Sequence, residues 1–305
     1  MNRDDYVFAL SEREQVKKLL GDMPSGFSLA KISLESRLKK IEKILLSAEP
    51  RQHEPTKATL TFKGPTVMGT HGISASFGTK ALSFFDDAIA YVASAFNGSL
   101  PSAGKVPNSE NNHLMITSSA RGSFGFILEE FRPDAPLGFD EPTLVSKAVD
   151  KTQLILQASL DGDDEKLAEA LDDLDARALE KIRSFISFLV DHKTVFTLKN
   201  NGFDVVFSEP KQLEGALKQL SSDNIKQEIV ELDVFFLGVL PNKRQCEFLI
   251  KGETDVKSAK IDKAFSDPNV LNKHLSAPSR AKFVRKTIGN GKPRFILLSE
   301  PSWNS

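Results

Sequence analysis

Cysteine is nearly missing from this chain. Cys246 is the only one in 305 residues, which excludes an internal disulfide and any metal site built on clustered cysteines. Long apolar runs are missing too: nowhere do about 18 consecutive apolar residues occur, so no membrane-spanning helix is expected. The opening MNRDDYVFALSEREQVKKLL lacks the apolar core and small-residue cleavage site of a secretory signal. The formal net charge is −1, so the molecule as a whole shows no bias toward polyanions or anionic lipid. Together these absences point to a cytoplasmic protein without membrane contact.

The motifs of common catalysts are absent as well. His53, His71, His113, His192 and His274 show none of the close pairings that zinc sites use. There is no HExxH and no GxSxG elbow. The paired acids Glu129-Glu130, Asp163-Asp164 and Asp172-Asp173 stand side by side and point in different directions. Acid–base work needs two carboxylates aimed at one substrate from distinct environments. We therefore assign no catalytic residue, no metal and no cofactor, and the balance favours a non-enzyme. Cys246 alternates with Phe248 and Ile250 in a strand pattern and reads as a buried core thiol.

What is present is a core-forming composition, 40% hydrophobic and 27% charged, and an uneven distribution of charge. Between Glu129 and Glu180 there are 15 acids against 5 bases; between Leu240 and Arg294 there are 13 bases against 5 acids. Either the two stretches face each other, or the basic end meets an external acidic surface.

Periodicity predicts the elements. Residues 11–20 suit a short helix with Ser11 as cap and Glu14 closing a capping box. Leu34, Leu38, Ile41 and Leu45 share one helical face, suited to a core-facing helix or a dimerising coiled coil. Leu60 and Phe62 alternate in a strand. Phe77, Ala81, Phe84, Phe85, Ala88, Ile89, Val92 and Phe96 line the most hydrophobic helix, which Asn97-Gly98 ends. Strands at 113–118 and 123–129 form a hairpin, and Gly125 within it signals a bulge or a close backbone approach. Three helical stretches follow, then a hairpin around Asn200-Asn201-Gly202 and one more helix. The last 80 residues read as short strands with one helical insertion.

The expected fold is α+β. An N-terminal β-α-β-β domain with preceding helices spans 1–135, a helical acidic middle with a β-hairpin spans 136–224, and a small SH3-like or OB-like β-barrel spans 225–305.

Two candidate sites follow. The loop GPTVMGTHGISASFGTK, 64–80, joins a strand to a helix N-terminus and could hold an anion through Gly69, Thr70, His71, Gly72 and Ser74, with Arg121 arriving from a hairpin tip. Its glycine spacing fits neither the P-loop nor the dinucleotide fingerprint, and a tight connection that serves chain geometry is the preferred reading of the loop. The second candidate is Lys282, Arg285, Lys286, Lys292 and Arg294, a basic set for nucleic acid or an acidic protein partner; the bases split over both faces of their strand. The leading functional expectation is a non-enzymatic binding or adaptor subunit with a protein partner, of a kind that would suit a bacterial defence or stress assembly. The alternatives are a nucleic-acid binder acting through the barrel, and a nucleotide or small-molecule enzyme or sensor built on His71 and Arg121.

Overall fold

The alternation around Leu60 makes β1 (Lys57–Lys63) a two-faced strand, and the first sheet is built outward from it. In the computed structural model Ala58, Leu60 and Phe62 are buried on one face, while Lys57, Thr59 and Thr61 point to the other. The structure describes residues 3–21, 23, 29–46, 56–98, 100–101, 103–107, 109–120, 124–130, 142–172 and 174–303. They form a mixed α+β fold that divides into two compact units, Met1–Gln153 with Asp175–Phe185 and His192–Val206, and Leu154–Leu174 with Ile186–Asp191 and Phe207–Ser305.

The first unit begins with α1 (Arg3–Gly21) and α2 (Leu29–Leu46). These helices pack on one another through Ala9, Val16 and Ile41, with Leu20, Leu34, Leu38 and Leu45 around them. Ser11 lies inside α1 instead of capping it. Ala9, Val16 and Leu20 share one face at spacings of seven and four, so the apolar stripe begins before Ser11 and carries the helix through it. After β1 comes a two-stranded ribbon, β2 (Val67–Met68) with β3 (Gly72–Ile73), then α3 (Ala75–Ala95). Next along the chain are β4 (Leu114–Ala120), β5 (Phe124–Glu130), α4 (Leu144–Asp161), α5 (Asp164–Ala170), α6 (Ala176–Asp191), β6 (Val195–Asn200) and β7 (Phe203–Val206); of these, α5, α4 from Leu154 and α6 from Ile186 belong to the second unit.

The sheet order is β4-β5-β1-β6-β7, and every pairing is antiparallel. The hairpin read from Asn200-Asn201-Gly202 is therefore not confined to the middle of the chain, because β6 completes the second edge of β1. The register explains the choice: Leu60 faces Leu198 and Phe62 faces Phe196, so the apolar stripes of both strands fall on one face. Aromatic edges carry that face into the helices, with Phe62 5.5 Å from Phe77 of α3. Phe185 of α6 lies 5.4 Å from Phe85 and 5.2 Å from Phe196.

The second unit holds α7 (Pro210–Gln219) and a closed five-stranded β-barrel. Its strands are β8 (Ile225–Leu240), β9 (Gln245–Ile250), β10 (Val256–Ile261), β11 (Pro278–Ile288) and β12 (Arg294–Leu297); β13 (Ser302–Trp303) is added on β11. The ladder runs β12-β10-β9-β8-β11 and returns to β12, with β10 and β12 parallel. The length of β8 is accommodated by a bulge between Phe236 and Gly238. The helical insertion is a 3-10 helix at Pro268–His274. Phe248 stacks on Phe283 at 4.7 Å and meets Phe295 edge-on at 5.4 Å at the centre of the core.

Gly125 of β5 shows the close approach its position signals: a Cβ there would overlap the carbonyl oxygen of Leu60. Gly125→Ala must therefore push β5 away from β1. We expect it to cost about 2 kcal/mol, in the range of overpacked cores, read as a lowered urea midpoint. Ala at the exposed Gly21, which has open space around it, should leave the midpoint nearly unchanged.

Candidate functional site

The loop at 64–80 is a folded turn. Val67 N–H donates to Gly64 O at 3.1 Å and His71 N–H to Met68 O at 2.9 Å, and β2 pairs with β3 across it. Gly64 and Gly69 have positive φ; at Gly64 a Cβ would come 2.8 Å from Thr194 Cα, so backbone approach demands glycine there. Ser74 stands at the N-cap of α3 without a side-chain cap bond, and its Oγ lies 3.0 Å from Ser76 Oγ. Thr70 and His71 are exposed, and Gly72 belongs to β3. Among the described residues no acid is hydrogen-bonded to the His71 ring, and no group of three metal-ligating side chains occurs. Arg121 lies outside the described residues, so its meeting with His71 has no structural account.

The basic set of the barrel is engaged inside its own unit. The acidic stretch supplies α5, which Asp163 caps by accepting from Glu165 N–H and Lys166 N–H at 3.0 and 3.1 Å. α5 packs against β11, and Leu167, Leu171, Val284 and Ile288 are all buried. Its acids then reach the turn between β11 and β12. Asp164 accepts from Asn290 N–H at 3.0 Å, and Glu165 accepts from Lys292 N–H at 2.8 Å. Lys286 Nζ donates to Leu171 O at 3.0 Å. Asp172 sits 2.8 Å from Lys260 and 3.8 Å from Arg294. On the neighbouring strand Arg285 bonds Glu228 at 2.6 Å and Arg280 reaches Glu231 at 3.3 Å. Lys282 stands opposite Glu231 in the β8–β11 register. Each basic residue singled out in the sequence thus meets a local acid, carbonyl or acidic cross-strand neighbour, or, for Lys292, is held by its own amide.

The paired acids have structural tasks. Glu129 bridges to Lys57 at 3.1 Å, and buried Glu130 accepts from Thr143 Oγ1 at 2.6 Å. Cys246 lies in the barrel core, where burial pushes its thiol up to about 12 despite a hydrogen bond from the Ala259 backbone.

Two features had no signal in residue spacing. The first is Asp86 of α3, whose Oδ2 lies 2.6 Å from His113 Nδ1 while its Oδ1 accepts from Leu114 N–H at 2.8 Å. The second is the edge strand that this pair begins. Leu114 faces Glu130 in the β4–β5 register, yet Leu114 N–H goes to Asp86 and Glu130 N–H goes to Thr56 O at 3.0 Å. That pair is therefore not hydrogen-bonded to itself. Antiparallel alternation makes Met115–Glu129 the bonded pair and turns the Ile116 N–H and C=O away from β5, to the outer edge. Among the described residues no strand pairs with that edge. Met115 through Ser119 are exposed on both faces, Met115 at 46% and Ile116 at 56%. The strand LMITSSA holds neither charge nor proline. No helix among the described residues is long and apolar enough to cross a membrane. No protein-family model, curated protein or solved structure matches this chain.

Two outcomes follow from this geometry. A thiol held at about 12 keeps its proton in the folded barrel while the unfolded chain loses it nearer the ordinary thiol range. That part of the stability is complete at neutral pH and is lost as pH climbs through the window up to about 12. Urea titrations should show the loss shrinking in Cys246→Val. Separately, the triple change Asp164→Asn, Glu165→Gln and Asp172→Asn removes three acids from the barrel surface. It should delay elution from immobilised heparin to distinctly higher salt than the unaltered chain needs.

Proposed function

We infer that the chain is a non-enzymatic protein-binding subunit, and that its contact element is the outer edge of β4. The observation that carries this is the row of outward backbone groups on an uncharged strand exposed on both faces. Free edges recruit extended partners by strand addition, with main-chain hydrogen bonds giving affinity and alternate side chains giving selectivity. Nearby, Lys57 bridges to Glu129 and the His113 ring meets the Asp86 carboxylate.

We read the barrel as OB-like. Its strands close in the order first, second, third, fifth, fourth, with the helical insertion between the third and fourth. Barrels of this type bind oligonucleotides on the face of strands two and three and on the loops joining strands one to two and four to five. In this chain that face presents Gln245, Glu247, Leu249, Val256, Ser258 and Lys260, the last 2.8 Å from Asp172, with no aromatic side chain to stack a base. Arg244, after the first strand, donates to the carbonyls of Ile261 and Phe265 at 3.2 and 2.5 Å. The loop joining the last two strands has its amides on Asp164 and Glu165. These commitments favour a structural barrel that supports protein contact over a nucleic-acid platform.

The test is a tagged full-length chain expressed at native level. With an untagged copy of the chain co-expressed, Ile116→Lys should strip the proteins that co-purify with it, that copy among them, while Phe203→Lys on the far edge keeps them. Equal recovery with both variants would overturn the assignment.

A further inference from the structure

We propose that β4 pairs with β4 of a second copy of this chain, antiparallel about a two-fold axis, so that the sheets of two copies join into one. The proposal rests on the reading of β4 as a contact edge and names its occupant. A two-fold pairing lays a strand against itself reversed, so any charge in it meets a like charge or lies near one. LMITSSA has none. Hydroxyl and apolar side chains tolerate themselves across such a ladder, and Thr117, Ser118 and Ser119 fall in its middle.

The other edge of the same sheet explains why the pairing closes. Joining β4 to β7 of another copy would leave one edge of each kind free and would propagate a filament. β7 is built against this. It has only four residues, carries Asp204, and its neighbour Lys199 bridges to that carboxylate at 2.7 Å. The carbonyl of Phe203 already accepts from Gln153 Nε2 at 2.5 Å. Short length and charge are the usual guards of an edge; β4 carries no charge of its own, and its guards are the Asp86 contact at its start and the bulge after Ile116. A self-pair of β4 therefore uses the open edge and leaves only the guarded ones.

The ladder is also bounded. Asp86 occupies the outward amide of Leu114 at the start, and a bulge shifts the register between Ile116 and Ser118. The pairing is thus short and its strength depends on concentration.

Sedimentation of the full chain from about 1 to 200 μM tests this, the range being set by the modest strength of so short a ladder. We expect the mass to rise from 33.6 kDa toward twice that value. Ile116→Pro removes one outward N–H without touching the β5 ladder, and Ile116→Lys places a like charge close to the axis. Each should hold the chain monomeric with an unchanged far-UV spectrum; should the proline variant not fold, the lysine variant decides. Phe203→Lys should dimerise as the unaltered chain does. A mass that stays at the monomer throughout, a dimer that survives Ile116→Lys, or growth into filaments would overturn the proposal. A labelled synthetic peptide copying residues 113–121 separates the two levels. Peptide binding that Ile116→Lys abolishes, in a chain that never dimerises, refutes the second copy but retains the contact edge. Absence of both dimer and peptide binding removes the contact edge as well.

Discussion

Backbone amides and carbonyls of a strand must be paired, covered or left to water, and this constraint organises both units. The barrel meets it by closure: β12 returns to both β10 and β11, so its five strands leave no long edge. The N-terminal sheet stays open and has two edges. Its central strand β1 is matched on both sides by apolar register, which fixes β5 and β6 and leaves β4 and β7 at the margins. β7 is guarded along its length, β4 only at its start and at its bulge. Asp86 covers one amide at the start of β4 and nothing described covers the next.

The charge asymmetry resolves within one unit. Acidic α5 docks on β11 with buried leucines beneath its carboxylates, so apolar burial fixes the position and the ion pairs follow. Exposed or half-exposed pairs such as Arg285–Glu228 contribute roughly 0–1 kcal/mol each. Their larger effect is on specificity: a surface whose cations already face acids offers little net field to a polyanion. The acids at Asn290 and Lys292 bond backbone amides, positions a phosphate could otherwise take.

Much of this fold was legible from local pattern. β1, α3, the β4–β5 hairpin and the run of short strands with a helical insertion at the end follow from alternation, helical spacing and turn residues. Gly125 was legible as a close approach because glycine interrupts an otherwise apolar strand. What could not be read was non-local. Asn200-Asn201-Gly202 announces a hairpin and says nothing about which strand it joins; that depends on matching Leu198 to Leu60. The Asp86–His113 contact joins residues 27 apart, from the middle of one helix to the residue before a strand, and no periodicity encodes it. The basic set was visible as residues, but its partners are non-local: Glu165, Leu171 and Asp172 in and just after α5, more than a hundred positions away, and Glu228 and Glu231 on β8. Whether β4 sits at an edge is a property of the sheet order, which one strand's sequence does not contain.

The edge also sets the kind of association the sheet can support. A long, flat, uncharged edge would be an aggregation hazard, since any extended apolar segment could add to it. Here the bulge at Ile116–Ser118 twists the strand, and three successive hydroxyl residues lower its hydrophobicity. Asp86 blocks extension of the ladder past Leu114. The result is an edge with a defined start and a break in register near its middle. A partner strand must match that shape, which disfavours indiscriminate addition while keeping the outward Ile116 pair available. Selectivity therefore comes from geometry, because the strand has no charge with which to select.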